Sequence, residues 1–175
     1  MSGIVRKVDH IAIAVRSLRD ALRLFADVLG GELIGGGDNP QLRVRAVQLR
    51  YPGGMRVELL EPLDPGSYLQ AYLDRHGEGF HHLTCYVDDV AAAAEQVTAA
   101  GFDVVDTVVG SPSWDETFLR PSSAFGTLIQ LARPVVPWTE PLQGLTLDDI
   151  LAGRVGVLAN RVWHKETGET LLPGG

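Results

Sequence analysis

Apolar and polar residues alternate along residues 10–15, and this period of two predicts a β-strand near the start of the chain. A period of 3.6 follows and places four apolar residues on one stripe of a helix: Leu18, Leu22, Phe25 and Leu29. Ser17, with Asp20 three residues later, is a suitable N-cap for this helix. Gly30 and Gly31 are suitable residues to end it. The first part of the chain therefore predicts a strand followed by a helix.

The same succession of patterns returns in the second half of the chain. The segment "VDHIAIAV" at 8–15 recurs as "FHHLTCYV" at 80–87, and "MRVELLEP" at 55–62 recurs as "TLIQLARP" at 127–134. Both pairs of segments are 72 residues apart. Between them the spacing falls to about 70 residues, as loop insertions of different length would produce. Two separated blocks with one spacing indicate an internal duplication.

Each repeat is predicted to form a strand, a helix and then further strands. The later strands are predicted over 32–36, 42–51 and 55–61 in the first repeat, and over 102–109, 114–120 and 126–132 in the second. The helix of the second repeat, "VAAAAEQVTAA", begins after a cap at Asp88 or Asp89 and ends at Gly101. This order of elements predicts an α+β fold.

We expect one domain over residues 5–134, built from two repeats and a linker: 5–64, 78–134 and 65–77. A short helix opened by Pro65 or Ser67 is expected around the linker. The repeat then stops, and residues 135–175 form a C-terminal extension with an apolar-periodic segment at 145–155. The extension is interpreted either as an arm that packs on the domain or on a partner chain, or as a partly disordered tail.

Charge and composition disfavour several classes of partner. The chain carries 22 acidic and 15 basic residues, a formal net charge of −7, and this negative field repels nucleic-acid backbones. No stretch approaches the roughly 18 consecutive apolar residues of a membrane span. The N-terminus lacks the charged and then apolar pattern of a secretory leader, and the single cysteine, Cys85, cannot form an internal disulfide. We therefore expect a cytoplasmic protein that binds neither nucleic acid nor membrane.

The repeated positions carry potential metal ligands. By strand parity, His10 and His82 lie on the mixed face of their strands, and Glu58 and Gln130 lie on the equivalent face of the last strand of each repeat. Four such groups on one surface are costly to bury unless a partner satisfies them, and Zn²⁺, Fe²⁺, Co²⁺, Ni²⁺ or Mn²⁺ would do so. A single strand histidine is usually a hydrogen-bonded structural residue. Two histidines and two oxygen ligands at one repeat spacing favour a shared site.

These segments resemble the vicinal oxygen chelate superfamily of glyoxalases, bleomycin-resistance proteins and extradiol dioxygenases. Within it, the resemblance is closest to methylmalonyl-CoA epimerase-like members, and "VDHIAIAV", "VELLEPLDPGSYLQAYLDRHGEGFHHLTCYVDDV" and "FLRPSSAFGTLIQLARP" carry it, over about residues 7–134. The resemblance implies two βαβββ modules that form an incomplete eight-stranded mixed barrel around one divalent metal ion. By position it assigns the metal ligands to His10, Glu58, His82 and Gln130. It also implies a homodimer.

The chain departs from the family at two points. The last ligand position is typically Glu in epimerases and glyoxalases, and here it is Gln130. Bacterial epimerases often add a Glu on the strand that corresponds to 42–49, and "LRVRAVQL" has no carboxylate there. In the second repeat, Glu116 matches Ala46 by the spacing of about 70 residues. A base in this opposite half is one interpretation of Glu116, and exposed polarity at a strand start is the other, which we favour.

The ligand set predicts a metal-dependent isomerase or lyase of the glyoxalase or epimerase type, which moves a proton next to a carbonyl or thioester. Its substrates would be small 2-oxo acids, hemithioacetals or acyl-CoA thioesters, and Glu58, the one carboxylate ligand, is the predicted base. An Fe²⁺-dependent dioxygenase is an alternative, because two histidines and one carboxylate suit it once Gln130 is displaced. A metal-free ligand-binding or antibiotic-sequestering protein is the other alternative.

Several nearby residues have structural interpretations. His81 is predicted to point away from His82 as a supporting residue, and Cys85 is predicted to be a small core residue under the helix. Tyr86 and Trp114 would either line an aromatic pocket or pack in the core. Three arginines in or beside a predicted strand are interpreted as solvated charges or as contacts for an acidic ligand: Arg43, Arg45 and Arg50.

Overall fold

The computed structural model describes residues 3–135, 140–158 and 161–173. In chain order the strands are β1 (Val5–Ala14), β2 (Glu32–Asn39), β3 (Val44–Arg50), β4 (Arg56–Pro62), β5 (Gly79–Val87), β6 (Val104–Val108), β7 (Trp114–Leu119), β8 (Ile129–Pro134), β9 (Val155–Leu158), β10 (Arg161–His164) and β11 (Thr170–Leu171). The helices are α1 (Leu18–Leu22), α2 (Tyr68–His76), α3 (Val90–Ala99) and α4 (Leu147–Leu151). The predicted α+β class, with a strand, a helix and then strands in each repeat, is confirmed. No helix in the described ranges is long and apolar enough to cross a membrane.

The chain divides into two compact units. Unit 1 comprises Met1–Ile11 and His81–Pro137, and unit 2 comprises Ala12–Phe80 and Trp138–Gly175. β1 and β5 each have residues in both units, so a unit is not the same as a sequence repeat.

Unit 1 is a mixed sheet covered by one helix. Its strand order is β1-β5-β8-β7-β6, with β5 and β8 parallel and β7 antiparallel to both of its neighbours. Asp89 caps α3 by accepting a hydrogen bond from the backbone N–H of Ala92. The helix packs on one face of β5 and β8, where Cys85, Val87 and Leu131 are buried. The opposite face, with Thr84 and Gln130, is therefore turned away from α3.

Unit 2 has the strand order β11-β10-β9-β2-β3-β4. In this unit the linker helix α2, capped by Ser67, buries Leu69 and Leu73 against Ala12, Ala14, Val44 and Leu60. Leu60 lies two residues after Glu58 and so on the same face of β4. The linker helix thus covers one end of the face that carries Glu58.

The first predicted helix is interrupted. Ser17 caps α1 as predicted, and Leu18 and Leu22 are buried. From Arg23 to Val28 the chain forms a π-helical turn, in which the N–H of Leu29 donates to the carbonyl of Leu24, five residues earlier. This wider turn rotates the later residues away from the 3.6-residue stripe. Leu29, expected on the buried stripe, is consequently 52% exposed.

The C-terminal extension adds strands to unit 2. β9 pairs in parallel with β2 at Asp38 and Gly156, and β10 and β11 continue outward in antiparallel pairs. Inside the predicted 145–155 segment, α4 is only five residues long and β9 begins at Val155. The parts of the extension at 136–139, 159–160 and 174–175 lie outside the described residues.

A buried ion cluster fixes the extension to the β2–β3 hairpin. Arg45 donates to Asp38 from Nε at 2.5 Å and to the carbonyl of Leu151 at 3.1 Å, and Lys165 Nζ donates to Asp38 at 2.7 Å. Burial by itself would raise the pKa of Asp38, but the hydrogen bonds and charges of Arg45 and Lys165 outweigh it and hold the pKa below the ordinary aspartate value. The cluster therefore stabilises the unit only while Asp38 is ionised.

Candidate functional site

The two predicted histidines lie on neighbouring strands of unit 1. His10 is near the middle of β1 and His82 is on β5, and their exposed fractions are only 3% and 7%. The rings meet edge to face, with centroids 5.7 Å apart. Two imidazoles buried side by side need polar partners, which the adjacent residues provide.

Asp9 sets the proton position on His10. Its carboxylate Oδ2 lies 2.9 Å from His10 Nδ1, while Oδ1 accepts a hydrogen bond from Lys7 Nζ at 2.8 Å. A carboxylate only accepts, so Nδ1 of His10 carries the proton and the lone pair of a neutral imidazole is on Nε2. Metal-ligating histidines are held in this way, with the second nitrogen bonded to a carboxylate.

His82 is supported by its neighbour in the sequence. His81 Nδ1 lies 2.8 Å from His82 Nδ1, so one of the two nitrogens donates to the other. The prediction that His81 points away from His82 is wrong, because the rings are in edge contact with centroids 5.2 Å apart. The supporting role predicted for His81 agrees with this contact.

Thr84, fully buried on β5, joins His10 to Gln130. Its hydroxyl donates to Gln130 Oε1 at 2.6 Å, and its Oγ1 lies 3.0 Å from His10 Nε2. The hydroxyl has one proton, whereas Gln130 Oε1 and the Nε2 of a neutral His10 are both acceptors. Two acceptor atoms that converge on one donor proton are the donor set that a divalent cation prefers. The residues of unit 1 therefore fit a metal ion.

Glu116 lies on the same face as Gln130. In the β7–β8 pair, Glu116 is opposite Ala132 and Phe118 is opposite Gln130, so Glu116 and Gln130 are diagonal neighbours. Gln130 Nε2 donates to Glu116 Oε2 at 2.6 Å, and Trp114 Nε1 donates to the same oxygen at 2.8 Å. The favoured interpretation of Glu116 as exposed strand polarity is wrong, because its carboxylate is half-buried and held by two N–H donors.

Glu58 belongs to unit 2, where it is half-buried on β4. It lies directly opposite Gln48 of β3, and Gln48 Nε2 donates to Glu58 Oε1 at 3.2 Å. The described part of the chain contains one His and Glu group able to hold a metal ion, the candidate triad of His10, Glu58 and His82. Two members of the triad come from unit 1 and one from unit 2.

The three arginines of the positive cluster are paired within unit 2. Arg43 bonds to Asp64, Arg45 to Asp38, and Arg50 to both Glu32 and Glu140: HB distances place every guanidinium against a carboxylate. Side chains of the protein thus occupy the positions that an acidic ligand would take. The cluster is structural, and neither of the two sequence interpretations describes it fully.

The remaining candidates have the roles of packing residues. Cys85 lies in the core under α3 as predicted, and burial raises the pKa of its thiol above the ordinary value. Tyr86 and Trp114 meet edge to face with centroids 6.2 Å apart, and Lys7 Nζ lies 5.7 Å from the centre of the Tyr86 ring. These aromatic residues therefore form a packed pair beside Glu116.

Sequence reasoning found the repeated ligand positions but missed the residues that connect them. Asp9 directly precedes His10, and Thr84 is two residues after His82 on the same strand face. An acidic residue next to a candidate ligand histidine, and a hydroxyl residue on its face, were the available signals.

Comparison with known proteins agrees with this reading of the site. The sequence profile of the Glyoxalase/Bleomycin resistance protein/Dioxygenase superfamily matches residues 9–118. An ethylmalonyl-CoA/methylmalonyl-CoA epimerase of Cereibacter sphaeroides is 30% identical over 131 residues, which cover 73% of this chain and 97% of that protein.

Solved structures show the same fold. The crystal structure of a methylmalonyl-CoA epimerase from Mycobacterium tuberculosis has a TM-score of 0.69 and 30% identity, over 78% of this chain and 93% of that chain. A variant of the Streptomyces coelicolor methylmalonyl-CoA epimerase in complex with 2-nitronate-propionyl-CoA has a TM-score of 0.66 and 28% identity, over 75% of this chain and 99% of that chain. The predicted glyoxalase-like fold is thereby confirmed. The chain belongs to the Glyoxalase/Bleomycin resistance protein/Dioxygenase superfamily.

Proposed function

We propose that the protein is a metal-dependent epimerase that moves a proton at the carbon next to the thioester carbonyl of a small acyl-CoA. The observation that carries the proposal is the convergence of His10 Nε2 and Gln130 Oε1 on the single proton of Thr84. The names of the relatives support the substrate class, since several are epimerases of methylmalonyl-CoA.

We infer that His10, Glu58 and His82 hold one divalent metal ion, with Gln130 Oε1 as a fourth ligand. Imidazole nitrogens and carboxylate or amide oxygens suit Zn²⁺, Co²⁺, Ni²⁺, Mn²⁺ or Fe²⁺. When bound, such an ion polarises the thioester carbonyl and stabilises negative charge on its oxygen. For Gln130 to ligate, the Thr84 hydroxyl must turn away from Oε1, because that oxygen now accepts its proton.

The side chains of the protein supply orientation and proton transfer. Asp9 keeps the proton of His10 on Nδ1 and so keeps Nε2 directed at the site. Glu58 is the carboxylate that we expect to carry a proton to or from the substrate carbon. Gln48 fixes one oxygen of Glu58 through a hydrogen bond of 3.2 Å, which leaves the second oxygen for this exchange.

Metal analysis of the purified protein, followed by the Glu58→Gln variant, tests the proposal. We expect near one equivalent of divalent metal in the wild type, and deuterium uptake at C2 of methylmalonyl-CoA in D₂O measured by mass spectrometry. Glu58→Gln should lower both metal content and uptake by at least about 100-fold in rate. Glu166→Gln, an exposed carboxylate of unit 2, is the matched control and should change neither.

The proposal is wrong if Glu58→Gln keeps full metal content and full exchange. A wild type that exchanges no deuterium, but consumes oxygen with Fe²⁺ and a catechol, would indicate a dioxygenase instead.

A further inference from the structure

The hydrogen bonds of unit 1 form a chain that leads from a proposed metal ligand to a second carboxylate. The chain passes from His10 to Thr84, then to Gln130, and ends at Glu116. Each step is between 2.6 and 3.0 Å. Glu116 therefore lies on the same strand face as the proposed site but is not one of its ligands.

One oxygen of Glu116 is fixed and the other is open. Gln130 Nε2 and Trp114 Nε1 both donate to Oε2. No residue that the structure describes donates a hydrogen bond to Oε1 of Glu116. A half-buried carboxylate that is oriented through one oxygen and unoccupied at the other has the arrangement of a group that accepts a proton.

The amide at position 130 is required for this arrangement. A carboxamide offers both an acceptor, Oε1, and donors on Nε2, so Gln130 can ligate through oxygen while it donates to Glu116. A carboxylate at the same position would place two negative groups in contact, which is strongly unfavourable. The departure from Glu at the last ligand position thus accompanies the acidic residue beside it.

We infer that Glu116 is the acceptor of the substrate proton and that Gln130 and Trp114 are its positioning residues. The inference rests on the proposed function. The C–H bond next to the carbonyl breaks, its electron pair forms an enolate, and the proton moves to Oε1 of Glu116. Return of a proton to the same carbon re-forms the C–H bond, and for inversion it comes from a second carrier, for which Glu58 is the carboxylate proposed above.

The test uses the metal-loaded full-length protein and methylmalonyl-CoA in D₂O. Glu116→Gln keeps the size of the side chain and an acceptor for Gln130, but it cannot take up a proton. We expect kcat for deuterium exchange to fall by about 100- to 10,000-fold, while KM, metal content and the calorimetric Kd for methylmalonyl-CoA stay within about threefold. Glu95→Gln, an exposed carboxylate on α3 of the same unit, is the matched control and should leave all four unchanged.

Rescue by a small carboxylate separates proton transfer from a structural role. In Glu116→Ala, formate should raise the exchange rate in a saturable manner, and it should have no effect on the wild type. Exchange within threefold of wild type in Glu116→Gln, loss of metal together with exchange, or absence of rescue by formate would each overturn the inference while leaving the proposed function intact. A metal-loaded wild type that exchanges no deuterium would overturn both.

Discussion

Replacement of Thr84 by valine should make the proposed metal site bind more tightly. Thr84 is fully buried, and valine has nearly its shape without the hydroxyl. In the metal-free protein the hydroxyl supplies a proton to Gln130 Oε1 and contacts His10 Nε2. These are two of the atoms that the metal would use, so the hydroxyl competes with the metal for them.

The size of the effect follows from the buried acceptor that loses its donor. Gln130 is 8% exposed, and a buried acceptor left without a partner costs about 1–3 kcal/mol. This cost falls on the metal-free form, because in the loaded form Oε1 would be bound to the metal. The difference between the two forms appears as a gain in metal affinity of about 5- to 150-fold.

Two measurements check the prediction: Co²⁺ titration against a competing chelator, and thermal unfolding with EDTA or with Co²⁺. We expect Thr84→Val to bind Co²⁺ more tightly and to lower the Tm only in EDTA. Thr117→Val is the matched control, since Thr117 is also fully buried in unit 1 and its Oγ1 lies 2.7 Å from the Thr107 hydroxyl. It should lower the Tm in both conditions and leave Co²⁺ affinity unchanged. Weaker Co²⁺ binding by Thr84→Val, or an equal loss of stability in both forms, would refute the reasoning.

Two further predictions concern the attachment of the C-terminal extension. The pKa of Asp38 is held low in the folded protein, so its ion cluster stabilises the fold above about pH 4 and is lost as the pH falls further; Asp38→Asn should therefore lower the urea midpoint at pH 7 but leave it near that of the wild type at pH 2.5, and an equal loss at both values would contradict this. Ile150 of α4 is fully buried, and its removal leaves a cavity, so Ile150→Ala should reduce the free energy of unfolding in urea by about 2–5 kcal/mol, whereas a loss below about 1 kcal/mol would show that the extension is only loosely packed.

The ligand positions could be predicted because the duplication and strand parity act at long range. A spacing of 72 residues relates His10 to His82 and Glu58 to Gln130, and no knowledge of the loops is needed to see it. Parity also assigned Cys85 to the face under α3, where it is buried. Both arguments depend only on the period of two, which any β-strand obeys.

The role of Glu116 could not be predicted because it depends on strand register. The spacing between the repeats changes from 72 to about 70, and a slip of two residues preserves the face of every side chain while changing its partner. Glu58 is opposite Gln48 in the β3–β4 pair, whereas Gln130, its equivalent, is opposite Phe118. Parity alone therefore could not place Glu116 beside Gln130.

Local changes of hydrogen bonding are also invisible to sequence periodicity. The π-helical turn after Leu22 uses bonds to a residue five positions earlier, and the stripe of apolar residues gives no sign of it. β9 is four residues long and contains Gly156, so nothing in its pattern identifies a strand. It forms because the edge of β2 offers a partner at Asp38.

The two units combine a carboxylate with an amide in opposite ways. In unit 2 the carboxylate is at the repeated ligand position, as Glu58, and the amide of Gln48 supports it. In unit 1 the amide is at the ligand position, as Gln130, and it supports the carboxylate of Glu116. Epimerisation requires a proton to leave one side of a carbon and return to the other, so two carboxylates with different attachments suit it better than two equivalent ligands. On this argument the replacement at Gln130 does not weaken the site, because it moves the second carboxylate from the proposed metal to a position where it can accept a proton.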